Sequence, residues 1–195
     1  MIGVVYGVGI NDADYTVKPK QNGIQTCCPY YLRWQGMLLR AYSADFHSKH
    51  PSYIGTSVCK EWLSFMNFKK WMKKQEWENK ELDKDIIYPN NKVYSPKTCV
   101  FVSTELNRLL TAREAKRGKY KKGVSWNKVA KKFHAQISIH GKRKNLGLFI
   151  YEEDAHKAYI MAKIEHIESF YDGVHNNVVD GLKRHVQSMR DSLKE

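Results

Sequence analysis

Residues 123–170 read GVSWNKVAKKFHAQISIHGKRKNLGLFIYEEDAHKAYIMAKIEHIESF, three alternating, strand-like runs that lead directly into one acid-started helix. Along residues 133–140, Phe133, Ala135, Ile137 and Ile139 fall on one side of an extended chain, and His134, Gln136, Ser138 and His140 on the other. One side can pack while the other stays polar. Gly141 lies among polar residues between two strand patterns, which predicts a hairpin turn with residues 142–149 as the returning strand. Glu152, Glu153 and Asp154 suit the positive end of a helix dipole. Ala155, Ala158, Tyr159, Ala162 and Ile167 give the helix a stripe with a small-residue middle, against which a sheet can sit closely.

The charge is concentrated in the same region. Residues 113–150 carry twelve Lys and Arg against one acid, a balance of +11; residues 1–112 balance at +5 and residues 151–195 at −3, within a total of +13. Positive charge gathered in this way releases counterions from a nucleic-acid backbone, whereas spread evenly it would be solvated surface.

The succession GVSW, a basic loop, FHAQIS, GKRKNLGLF, EEDAHKAY and AKIE resembles the AP2 DNA-binding domain over about a quarter of the chain. The resemblance implies a three-stranded antiparallel sheet laid in the major groove of double-stranded DNA, with a helix packed behind it. It implies base and phosphate contacts from Ser125 and Asn127, Gln136 and Ser138, and Arg143 and Asn145. Lys128, Lys131 and Lys132 are expected to contact phosphates, which positions the protein without specifying sequence.

With 195 residues, 42% of them hydrophobic, and with five Trp and twelve Tyr, the chain can build one ordinary core or two small ones. No run of about 18 apolar residues occurs, and the start MIGVVYGVGINDADY does not fit a secretory signal, so an intracellular protein is expected. Four cysteines in a chain of this length do not make a disulfide framework.

Residues 1–28 read as turn-rich loops, and residues 30–42 as a helix with Tyr31, Trp34, Leu38 and Tyr42 on its packing side. Residues 43–57 read as a loop. Residues 58–75 read as a second amphipathic helix, with Trp62, Phe65, Met66 and Met72 inward and Lys69, Lys70, Lys73 and Lys74 outward. Residues 82–111 predict strand, loop, strand and helix, with turns at Pro89-Asn90-Asn91 and Ser95-Pro96 and the helix opening near Ser103 or Thr104. Acids at the first strand and an Asn in the helix are the oxygen donors that a hard cation such as Mg2+ prefers.

RAYS, PSY, VCKEW, LDKDI, YSPKTCVFV and ELN, over most of residues 30–107, resemble the phage-type HNH nucleases with a ββα metal site. The resemblance implies Asp83 as metal ligand, with Asp85 as the competing choice, Asn91 as the orienting loop residue and Asn107 as the helix ligand to Mg2+ or Mn2+. Lys84 stands where that family has the histidine that activates water. An ordinary lysine pKa of about 10.4 is far too high for a base at neutral pH. The options are that His47 or His50 folds in, that metal-bound water needs no strong base, or that the site is silent.

Cys59 and Cys99 fall in the matching segments, and Cys27 and Cys28 are adjacent, poor spacing for chelation; packed thiols are expected rather than a structural Zn2+ site. The expected organisation is α+β: an HNH-like ββα module in residues 1–112, a basic linker at 113–122, an AP2-like module at 123–170 and a helical extension at 171–195 that docks on the body or pairs with a second copy as a homodimer. The two resemblances together imply a phage-encoded, homing-type DNA endonuclease acting in the cytoplasm of a host cell. The alternative is a DNA-binding regulator without chemistry.

Overall fold

The computed structural model describes residues 3–111 and 119–194, a mixed α+β chain that divides into two compact units, Met1–Ser103 and Thr104–Glu195. Residues 113–118 of the expected linker lie outside the described residues.

The first unit opens with two small antiparallel hairpins where loops were expected: β1 (Gly3–Val5) with β2 (Gly9–Asn11), and β3 (Lys20–Gln21) with β4 (Ile24–Gln25). Helix α1 (Pro29–Tyr42) starts on a proline, whose missing N–H is no loss in the first turn. Its expected stripe is buried at Tyr31, Trp34 and Leu38, joined by Met37 and Ala41. The stretch read as a loop after it forms α2 (Ala44–Lys49), because the Ser43 side chain accepts from the Phe46 N–H and caps the turn.

The single helix expected over residues 58–75 is divided. Strand β5 (Ser57–Val58) pairs with a later strand, a 3-10 turn covers Lys60–Leu63, and α3 (Phe65–Met72) begins only after Ser64. Ser64 accepts from the Asn67 N–H at 3.1 Å and donates to Asp12 at 2.6 Å, so it starts α3 instead of continuing a helix. Trp62, Phe65, Phe68 and Met72 are fully buried with Trp34 and Leu38, and Trp34 Nε1 donates to the Trp62 carbonyl at 2.7 Å. Phe68 belongs to this packing face and was absent from the expected set.

Strand β6 (Lys80–Asp83) runs antiparallel to β8 (Val100–Ser103), with Asp83 opposite Val100; between them β7 (Val93–Tyr94) leaves to pair in parallel with β5. Helix α4 (Thr104–Leu110) begins at the residue after β8 ends and by its contacts belongs to the second unit.

That unit is built on an antiparallel sheet in the order β11-β10-β9, formed by β9 (Val124–Asn127), β10 (Lys132–Ile139) and β11 (Lys142–Phe149). Helix α5 (Glu152–Glu168) packs on one side through Tyr159 and Ala162 against Ile137. Gly123 makes the close approach possible: its φ is +81°, and a Cβ there would overlap the Tyr159 ring. Helix α6 (Asn176–Asp191) packs against α5, with Val178, Leu182 and Val186 buried and Arg190 bridging Glu168 at 2.7 Å. Asn176 and Asn177 are its first residues. Among the described residues no helix is long and apolar enough to cross a membrane.

Candidate nucleic-acid face and ion-binding clusters

Cross-strand partners in an antiparallel sheet lie on one face. The register pairs Ser125 with His134, Asn127 with Lys132, Gln136 with Asn145, and Ser138 with Arg143. Ser125, Asn127, Gln136, Ser138, Arg143 and Asn145 therefore share the face opposite the one that buries Ala135 and Ile137 toward α5. A bulge between Ala135 and Gln136, with Leu146 as the inserted residue of β11, keeps this face continuous. Gly147 takes the φ of +127° that the bulge requires.

The six are not equivalent. Asn127 Oδ1 accepts from the Val129 and Ala130 N–H groups at 3.0 and 2.9 Å, which ties the β9–β10 turn and occupies that oxygen. Asn145 Oδ1 accepts from the Gly147 N–H at 2.9 Å and lies 3.0 Å from His134 Nε2. His134 thus sits centrally on the polar face; the alternation of β10 already marked it, although it was not among the expected contact residues. Lys128, Lys131 and Lys132 are exposed around the β9–β10 turn, where Val129 is 96% exposed.

In the first unit, Asp83 Oδ1 accepts from the Asp85 and Ile86 N–H groups at 2.7 and 2.8 Å. Burial pushes the Asp83 carboxyl up from its ordinary range, against the lowering effect of those N–H groups. Lys84 is buried, and its ammonium donates to both Asp85 oxygens at 2.7 and 2.9 Å and to the Asn91 carbonyl at 2.7 Å. Asn91 Nδ2 donates back to the Lys84 carbonyl at 2.9 Å and to the Val93 carbonyl at 2.7 Å. Asp83, Lys84, Asp85 and Asn91 are thus brought together in one loop. Lys84 Nζ is 5.9 Å from the centres of the Tyr53 and Tyr94 rings, and Arg40 Nε donates to the Tyr94 hydroxyl at 2.9 Å. His47, one of the histidines considered as a base, has its Nε2 2.9 Å from the Arg40 carbonyl oxygen. Asn107 lies on α4, in the second unit.

A different group in the second unit could hold a metal ion. Ligand atoms of Glu105, on α4, His140, in the β10–β11 turn, and His166, on α5, all lie within 4.8 Å of one another. Glu105 accepts from the His140 backbone N–H at 2.6 Å and lies 2.8 Å from His140 Nδ1. Partial desolvation opposes ionisation of Glu105, but the His140 hydrogen bonds prevail and hold its carboxyl below the usual range. Burial pushes the His166 imidazole below its ordinary pKa, against the pull of Glu105. None of the expected metal ligands is in this group. The sequence carries no local spacing for it, since its members come from three separate elements. The cysteines do not enter it: all four are free thiols, and burial drives Cys99 up to about 12.

Comparison with protein-family models, with curated proteins and with solved structures finds no match to this chain.

Proposed function

We propose that this protein binds double-stranded DNA selectively by sequence, with the open face of the β9–β11 sheet as its reading surface. The observation that carries the proposal is the shared face of Ser125, Asn127, Gln136, Ser138, Arg143 and Asn145, turned away from α5 and bordered by Lys128, Lys131 and Lys132. Polar side chains at alternate strand positions suit base-edge contacts in a major groove, which admits a narrow β-ribbon. The lysines supply salt-dependent attraction to phosphates. The test is fluorescence anisotropy with duplex DNA, preceded by selection from a randomised pool. Binding should fall steeply with added salt and should favour a subset of sequences; no duplex binding at low ionic strength would end the proposal.

We further propose a metal-dependent phosphodiester hydrolysis centred on the Asp83–Asn91 loop, as in HNH-like endonucleases. Asp83 fits a hard cation, because two backbone N–H groups steady its carboxylate, and Asn107 is the second ligand implied by the resemblance. When bound, Mg2+ or Mn2+ would polarise a phosphate oxygen. The residues at the base position do not fit proton removal. Lys84 Nζ is already engaged, donating to the Asp85 carboxylate and to the Asn91 carbonyl, so it is not free to face a water molecule. Asn91 fixes the loop through the Lys84 carbonyl, so these two residues orient and neutralise.

The same observation favours the second reading, a regulator that occupies DNA without cutting it. Plasmid nicking with Mg2+ or Mn2+, run beside Asp83→Ala and Asn107→Ala, separates the two: activity lost in both variants supports the nuclease, and no activity in any of the three supports the regulator. Equal activity in all three would remove this site.

A further inference from the structure

We propose that Glu105, His140 and His166 form a binding site for one zinc-class cation that clasps α4 to the β10–β11 turn and to α5. The inference is independent of the DNA-binding proposal and of the Asp83 loop. The donor set is two imidazoles and one carboxylate, a combination that suits Zn2+ and its first-row neighbours and not Mg2+ or Ca2+, which take oxygen ligands.

The second, independent observation is the state of His166. Its side chain is only 2% exposed, and among the described residues neither ring nitrogen has a hydrogen-bond partner. Nε2 lies 3.3 Å from Glu105 Oε1, close enough for an ionic contact but without hydrogen-bond geometry. Buried polar atoms without partners are rare, and a bound ion is among the standard reasons for one. A cation between Glu105 and His166 would give the imidazole's Nε2 a partner and use the carboxylate that already faces it. His140 completes the group from the other side, its ring 5.4 Å from that of His166 and at 77° to it. The second imidazole is therefore turned across the first rather than stacked on it, which lets both converge on one point.

The backbone is suited to holding the group. His140 has a φ of +50° and Gly141 of +74°, a tight turn that projects the histidine at the sheet's end, and the Glu105 carboxylate is oriented by the His140 N–H. Three protein donors leave the fourth position of a tetrahedral ion to water.

The test uses the full chain purified without a histidine tag and stripped by chelator, titrated with Co2+ and then Zn2+. Expected are one equivalent of bound Co2+ with visible ligand-field bands, displacement by Zn2+, and a rise in melting temperature on Zn2+ addition. His140 is 70% exposed in its side chain, so His140→Ala should fold normally; it and Glu105→Gln should weaken metal binding by about 10- to 100-fold and abolish the thermal shift. His175→Ala, at an exposed histidine outside the group, should change neither. Absence of stoichiometric binding, or unchanged affinity in both site variants with circular dichroism intact, would overturn the inference. Anisotropy on the same samples reports DNA binding separately, so failure of one proposal is distinguishable from failure of the other.

Discussion

Lys84 shows at the residue scale how one side chain changes what a loop can do. It puts a basic side chain into a buried setting, paired with Asp85 and donating to the Asn91 carbonyl. Its removal would leave that carbonyl and the Asp85 carboxylate without this donor. Lys84→Met is therefore expected to destabilise the first unit by about 1 to 3 kcal/mol, measured by urea unfolding. Lys163, on α5, is buried as well, and desolvation, aided by Lys122, pulls its ammonium down to about 8. An unfolded lysine titrates near 10.4, so the native state releases the proton first and stability rises with pH between about 8 and 10.4. Lys163→Met should be the more stable protein at pH 7, by about 1 to 3 kcal/mol, with the advantage shrinking through that window. His185 is held low by burial and then by Lys163, so the same substitution should raise its pKa, which an NMR titration would detect.

At the scale of elements, the sheet and its helix follow from patterns that need no distant partner. The alternation along residues 133–140, the glycine turn and the acids at the start of α5 all act within a few residues, and the observed elements lie within one residue of where those signals put them. Gly123 is where they depend on one another. Its positive φ and the Tyr159 ring both exclude a side chain, so Gly123→Ala should destabilise the second unit by about 2 kcal/mol or more and weaken duplex binding in proportion, read by thermal melting and anisotropy. The predicted helix over residues 58–75 shows the reverse case. Its apolar spacing was legible, but a serine cap and the pairing of Val58 with β7 outweigh the periodicity. Helix α6 already buries Val178, Leu182 and Val186 in the single chain, so a homodimer would have to use other residues.

At the scale of the whole molecule, charge decides the kind of partner. The excess of +11 over residues 113–150 includes the cations of the open sheet face and its β9–β10 turn, while residues 151–195 carry a net −3. Removing a cation from that face should lower the salt dependence by about one counterion: Arg143→Ala is expected to weaken duplex binding and to reduce the slope of log K against log salt by about 1. Replacing Lys128 in the turn should weaken all sequences alike. An unchanged salt slope in Arg143→Ala would count against contact through this face. By itself the sequence determined the α+β composition, the polar and apolar sides of the sheet, and the concentration of charge, because these are set by periodicity and by neighbours along the chain. Only the tertiary structure decided that Lys84 is locked in an ion pair and that Glu105, His140 and His166 converge, because those contacts depend on loop closure and on packing between residues 26 to 61 positions apart, for which no local pattern exists.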